Sequence, residues 1–260
     1  MSPSILEIKN LTKDFGGLKA VNNFSLSLNE GELVGLIGPN GAGKTTVFNL
    51  ITGMYLPSAG SIKFQGREIS GLKPHKIAQM GISRTFQNIR LFPELTVLDN
   101  VRIAHHYHTH CGLFHTLFRT KAFHQEEKEL TQKAKEFLAI FGLEGRLNEK
   151  SKNLPYGEQR RLEIVRALTS APKLLLLDEP AAGMNPFEVG RLLELIAFIR
   201  ERFRLTILLI EHQMRVVMGI CERVVVMDFG EIIACGMPEA VQNDPKVIEA
   251  YLGKRTTVYG

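Results

Sequence analysis

No apolar run in this sequence approaches the roughly 20 residues that a bilayer-spanning helix requires, so a chain that crosses a membrane on a helix of its own is excluded. The opening Met1-Ser2-Pro3 lacks the charged and then apolar pattern of a secretory signal, and a cytosolic location is expected. Cysteine is scarce: Cys111, Cys221 and Cys235 are scattered and odd in number, which fits reduced thiols and argues against a disulfide framework. There is no internal repeat, low-complexity tract, long linker or heptad run, which sets repeat arrays and coiled coils aside. Charge of one sign is hardly in excess. A formal net charge of +5 is compatible with an anionic membrane face, nucleic acid or nucleotide, and chooses none of them.

What the sequence does have is material for a core. Its 260 residues are 44% hydrophobic, enough for one large domain or a core with a subdomain. The most informative segment is Gly38-Pro39-Asn40-Gly41-Ala42-Gly43-Lys44-Thr45-Thr46, which follows the apolar run Leu33 to Ile37. A glycine-rich loop there falls where a buried strand turns into a helix. Glycines let successive backbone N–H groups curl toward phosphates, and a helix starting near Lys44 adds its positive N-terminal dipole. Lys44 is placed to reach the β- and γ-phosphates and the Thr45 hydroxyl to ligate magnesium. Nucleotide binding is therefore expected, with Gly38, Asn40, Gly41, Ala42, Gly43, Lys44, Thr45 and Thr46 as its contacts.

Ile5, Leu6, Ile8 and Leu11, then Phe24, Leu26 and Leu28, alternate in part and predict two antiparallel strands ahead of this loop, with another short strand in 60–66. Leu174 to Leu177, Thr206 to Ile210 and Val224 to Met227 are apolar runs too short for typical helices and read as buried strands of a parallel sheet. Asn185-Pro186 predicts a helix start, a capping residue followed by proline at the first helical position. Between about 95 and 153 no strand is evident, and Leu130, Ala134, Phe137, Leu138 and Phe141 form an amphipathic stripe, so this segment reads as a helical insert. Its stripe packs within the insert or, less favoured, docks a partner helix.

Asp178 and Glu179 end the run of leucines from 174 to 177, at the C-terminal edge where open α/β sheets bind ligands. Two acids there call for a cation: Asp178 suits a magnesium shell, and Glu179 suits polarising the water that attacks a γ-phosphate.

In order along the chain, these residues resemble the ATP-binding cassette subunits of ABC transporters. The resemblance covers nearly the whole length and implies an α/β fold: a P-loop NTPase core of RecA type, an antiparallel β subdomain and a helical subdomain insert. It implies a single domain over 1–260, with about 1–94 and 154–260 as core and β subdomain and about 95–153 as the helical subdomain. Phe15 sits where the family stacks an aromatic ring on adenine, a core phenylalanine being the alternative. Gln87, in Arg84-Thr85-Phe86-Gln87, takes the position of a glutamine that touches magnesium or the lytic water. His212, after Glu211, matches a switch histidine that contacts the γ-phosphate and orients the water with Glu179. Ala182-Gly183-Met184-Asn185 is similar to the loop that meets an opposite subunit.

The segment Leu154-Pro155-Tyr156-Gly157-Glu158-Gln159-Arg160-Arg161-Leu162-Glu163 stands where the family carries LSGGQ, and keeps only the leucine and the second glycine. Pro155 offers neither hydroxyl nor N–H to a phosphate, whereas Gly157 and the following helix N-terminus still present backbone N–H groups. Such a signature resembles the longer of the two ATPases of branched-chain amino-acid importers. Phe15-Gly16-Gly17-Leu18-Lys19-Ala20-Val21, Thr85-Phe86-Gln87 with Arg90-Leu91-Phe92, and the ending from Val247 to Gly253 agree with that branch.

The resemblance implies an ATPase that uses ATP with Mg2+, in a sandwich of two cassettes with ATP between Lys44 of one subunit and Gly157 of another. The second cassette is identical or different. The implied partners are integral membrane permeases and, indirectly, an extracytoplasmic substrate-binding protein, which places the chain in the cytoplasm, peripheral on the inner membrane face, with no nucleic acid. The insert and the loop after Gln87 are the implied transmission surface. Urea, another amino acid or a lipid is the alternative cargo, and a nucleic-acid-directed cassette ATPase the alternative class. A histidine-rich stretch, His105, His106, His108, His110, His115 and His124 with Cys111, matches no closed tetrahedral spacing. It reads as a surface that gains charge as pH falls, with metal binding the lesser alternative.

Overall fold

The computed structural model describes residues 4–105 and 121–252, and no helix among them is long and apolar enough to cross a membrane. Met1 to Pro3, Gly253 and the stretch from His106 to His115 with Cys111 lie outside the described residues. The chain divides into two compact units, Met1–Arg84 with Lys173–Gly260, and Thr85–Pro172.

In the first unit, β1 (Ser4–Phe15) and β2 (Leu18–Asn29) pair antiparallel, and a sheet of order β2-β1-β4-β5 is completed by β4 (Ala59–Phe64) and β5 (Arg67–Glu68). The alternation that predicts the first two strands has its physical basis in one buried face: Leu6, Ile8, Leu11, Phe24, Leu26 and Leu28 all enter the core. The second sheet has the order β10-β9-β3-β8-β7-β6. Its parallel strands are β3 (Leu33–Ile37), β6 (Ile82–Arg84), β7 (Leu174–Asp178), β8 (Thr206–Ile210) and β9 (Arg223–Asp228), with β10 (Glu231–Gly236) antiparallel on β9. Every residue of β3, β7 and β8 is buried, so these strands are continuously apolar where a half-solvated strand alternates.

Helices α1 (Lys44–Ile51) and α2 (Pro74–Gln79) follow in this unit before the chain enters the second. The second unit contains α3 (Val97–His105), α4 (Lys121–Ile140) and α5 (Tyr156–Leu168). Leu130, Ala134, Leu138 and Phe141 are buried, as the stripe requires. Because α5 packs with α3 and α4, this unit takes in the segment around Gly157 and is wider than the 95–153 insert. Back in the first unit, α6 (Pro186–Phe203) opens with a complete capping box. The Asn185 side chain accepts from the N–H groups of Phe187 and Glu188 at 3.0 Å each, and Glu188 accepts from Asn185 N–H at 3.0 Å. It is followed by α7 (Met214–Ile220), α8 (Pro238–Gln242) and α9 (Pro245–Leu252).

Candidate nucleotide site

β3 ends at Ile37 and α1 begins at Lys44, so the glycine-rich loop joins a buried strand to a helix N-terminus. Two of its glycines are required by space as well as by backbone angle. A Cβ on Gly38 would lie 2.1 Å from the Met227 carbonyl oxygen, and one on Gly43 2.3 Å from that of Ala20. The loop is also tied from outside: Gly230 N–H donates to Ala42 O at 3.0 Å, and Asn22 N–H donates to Gly230 O at 2.9 Å. Asn40, Gly41 and Thr45 are exposed, while Ala42 and Lys44 are buried.

The Lys44 ammonium donates to Gly38 O at 2.7 Å and Pro39 O at 2.8 Å, which holds its charge against the inner rim of the loop. Burial lowers its pKa, and Glu179 and Asp178 oppose that shift. A cradle that admits no Cβ at Gly38 or Gly43, a buried cation and a helix N-terminus together make a fit for a polyphosphate.

Asp178 and Glu179 stand at the end of β7, where Asp178 pairs in register with Ile210 of β8. The Asp178 carboxylate meets the Arg84 guanidinium at 2.6 Å, and the same guanidinium donates to Asn49 Oδ1 on α1 at 2.7 Å. Arg84 thus joins β7 to the helix that carries Lys44. Oxygen donors of the kind that suit magnesium, the Thr45 hydroxyl and the Asp178 carboxylate, belong to this unit. Glu179 has a left-handed backbone, φ 47°, a costly conformation for a glutamate and one that clusters at functional sites. Its N–H donates to Ile210 O at 2.9 Å. His212 Nδ1 lies 3.7 Å from Glu179 Oε2, with the histidine 48% and the glutamate 15% exposed. This brings the acid and the histidine together at a surface that water reaches.

Phe15 is 43% exposed, which removes the alternative of a core phenylalanine. Its ring meets Tyr55 edge-on at 5.3 Å, and Lys13 Nζ lies 4.8 Å from its centroid.

Gln87 and Gly157 belong to the second unit. Gly157 lies in the first turn of α5, capped by Pro155 with no side-chain hydrogen bond. Arg160, fully buried, donates to Phe86 O at 2.6 Å, to Gln87 O at 2.8 Å, to Glu163 Oε2 at 2.7 Å and to the Tyr156 hydroxyl at 3.3 Å. Glu163 Oε1 in turn accepts from the N–H groups of Phe86 and Arg90, each at 3.3 Å. Burial raises the Glu163 pKa, while Arg160 and those amides pull it down. The backbone of Gln87 is therefore strapped to α5.

Arg84, Asn49 and Glu211 in the first unit, and Arg160 and Glu163 in the second, are residues to which sequence reasoning gives no role. The signal for two of them is present: Arg160 and Glu163 are spaced i,i+3 on a helix, as ion pairs are.

Comparison with known proteins places this geometry. Residues 21–182 match the family profile described as ABC transporter, and residues 231–256 match that of the branched-chain amino acid ATP-binding cassette transporter. The chain is 50% identical over 254 residues to the high-affinity branched-chain amino acid transport ATP-binding protein LivG of Salmonella typhimurium, covering 98% of this chain and 100% of that one. Among solved structures it is similar to the ADP conformation of MJ1267, an ATP-binding cassette of an ABC transporter. The TM-score is 0.85 with 33% identity, covering 97% of this chain and 100% of that one. A dimeric post-hydrolysis structure of the cassette MJ0796, bound to ADP and Pi, matches with a TM-score of 0.76 and 26% identity over 90% of this chain and 98% of that one.

Proposed function

Since the chain belongs to the ABC transporter family, we propose that it is the ATP-binding and ATP-hydrolysing subunit of an importer of branched-chain amino acids. The observation that carries the cargo is the end-to-end similarity to LivG, joined by the match of residues 231–256 to the branched-chain profile.

The chemistry follows from the first unit. The loop amides and Lys44 hold the β- and γ-phosphates, and Lys44 neutralises charge that develops during phosphoryl transfer. Thr45 and Asp178 would hold magnesium, which supplies further charge neutralisation on the phosphates. Glu179 takes the proton of the attacking water, and His212 beside it orients that water toward the γ-phosphate. Gln87 would contact the metal or the water, and Phe15 would stack on adenine.

A second cassette, identical or different, completes each site by presenting the helix N-terminus at Gly157 to the nucleotide held at Lys44. ATP then favours the closed dimer and its hydrolysis the open one, a population shift that membrane-embedded permease subunits convert into transport. The chain works in the cytoplasm on the inner face of the membrane, and meets an extracytoplasmic binding protein only through the permeases. Nucleic acid has no part in it.

Uptake of radiolabelled leucine by cells that lack this chain tests the reading. Restoring the chain should restore uptake, and restoring its Lys44→Ala variant should not. Leucine uptake that is indifferent to loss of the chain, with uptake of another solute abolished, would reassign the cargo.

A further inference from the structure

Glu211 follows β8 directly and is fully buried, yet the hydrolysis described above gives it no task. Its Oε1 accepts the N–H of Ala181 at 3.0 Å. Its Oε2 accepts the N–H groups of His212 at 3.2 Å and Gln213 at 3.4 Å. These donors come from two separate turns. Ala181 lies in the turn that leaves Glu179, whose carbonyl accepts the Ala182 N–H at 3.2 Å. His212 and Gln213 lie in the turn between β8 and α7, and the Gln213 amide returns a contact to Ala181 O at 3.5 Å.

A buried carboxylate at a strand end is costly, and leucine and isoleucine fill the four preceding positions of β8. An ionised carboxylate is acceptor-only, with two oxygens that can face two sets of donors at once. A neutral side chain of the same size offers one acceptor oxygen, so it would satisfy one turn and present N–H to the other. The chemistry of the residue therefore matches bridging, and both bridged turns carry a reacting side chain.

We propose that Glu211 is a positioning residue for ATP hydrolysis: its carboxylate ties the turn of Glu179 to the turn of His212 and keeps those two side chains in reach of one water. The proposal rests on the roles of Glu179 and His212 given above. One consequence concerns the segment Ala182 to Asn185, which starts beside the tethered Ala181. A partner subunit that displaces this segment also displaces His212, so contact between cassettes reaches the hydrolytic pair through this carboxylate.

The test is Glu211→Gln in the full chain, with ATP affinity and ATP turnover measured separately. Affinity should stay within about twofold, because the phosphate loop is untouched, while turnover falls by about 10- to 100-fold, the scale of a small misplacement at a reacting centre. Combined with His212→Ala, the loss should fall well short of the product of the two single losses, as expected for residues that act through one another. Unchanged turnover, a fully multiplicative combination, or parallel loss of affinity and turnover each overturns the proposal. A second measurement needs no variant: in native-state hydrogen exchange the amides of Ala181, His212 and Gln213 should be protected and open together. Rapid exchange at these amides also overturns it. An unsubstituted chain that does not hydrolyse ATP instead overturns the reading beneath the proposal.

Discussion

Arg160 and Glu163, one helical turn apart on α5, form an ion pair of 2.7 Å in which neither side chain is more than 6% exposed. Between them they hold the carbonyls of Phe86 and Gln87 and the N–H groups of Phe86 and Arg90. The pair converts one turn of helix into a clamp on the segment that carries Gln87.

Removing one partner leaves the other charge buried. Arg160→Ala is expected to cost about 3–5 kcal/mol, read from the midpoint of denaturant unfolding. Replacing both residues by apolar ones of similar volume should recover part of that loss. Equal midpoints for the single and double variants would mean that the stranded charge is not the cause.

Lys44→Ala should abolish ATP binding, since the phosphates then lack their main counter-charge inside the loop. Titration calorimetry reads this directly, and an affinity equal to that of the unsubstituted chain would remove Lys44 from its role.

Glu179→Gln should slow hydrolysis by about 10²–10⁴-fold, the scale of losing a general base, while ATP still binds. Turnover near the unsubstituted rate would show that another group takes the proton.

The pH dependence of stability has a defined sign at Glu211. Burial, the largest influence, raises its carboxyl pKa, against the pull of the Ala181, Gln213 and His212 N–H groups and the His212 side chain. Between the unfolded and the raised folded value, the native state binds more protons than the unfolded one. The stability linked to this group is therefore fully present below the unfolded value and is lost as pH rises through the folded value. Glu211→Gln lacks that dependence. Thermal midpoints measured from acid to neutral pH should show the unsubstituted chain losing ground to the variant as pH rises, and a constant difference would contradict the shift.

Much of this architecture is legible because it is written in contiguous residues. The run Leu33 to Ile37, the loop to Thr46 and the run from Leu174 to Glu179 each carry strand, turn and chemistry in one short stretch. β6 escaped because Ile82–Arg84 is too short for any periodicity, and β10 because its residues are only partly buried and do not alternate cleanly. The compact unit Thr85–Pro172 takes in α5 as well as the segment 95–153, because the packing of α5 on α3 and α4 is a tertiary fact, not visible in the polar sequence of α5. The charges that organise the site were harder still. Arg84 meets Asp178 across 94 residues and Glu211 meets Ala181 across 30, and no local pattern marks a carboxylate that will end up without water.

The most direct measurement is to identify, by mass spectrometry, the proteins that copurify with a tagged Glu179→Gln chain from detergent-solubilised native membranes, with ATP and magnesium present to hold the closed dimer. Polytopic permease subunits together with a second cassette are the predicted result. Recovery of soluble partners or nucleic acid alone would contradict the transport function while leaving the ATPase chemistry in place.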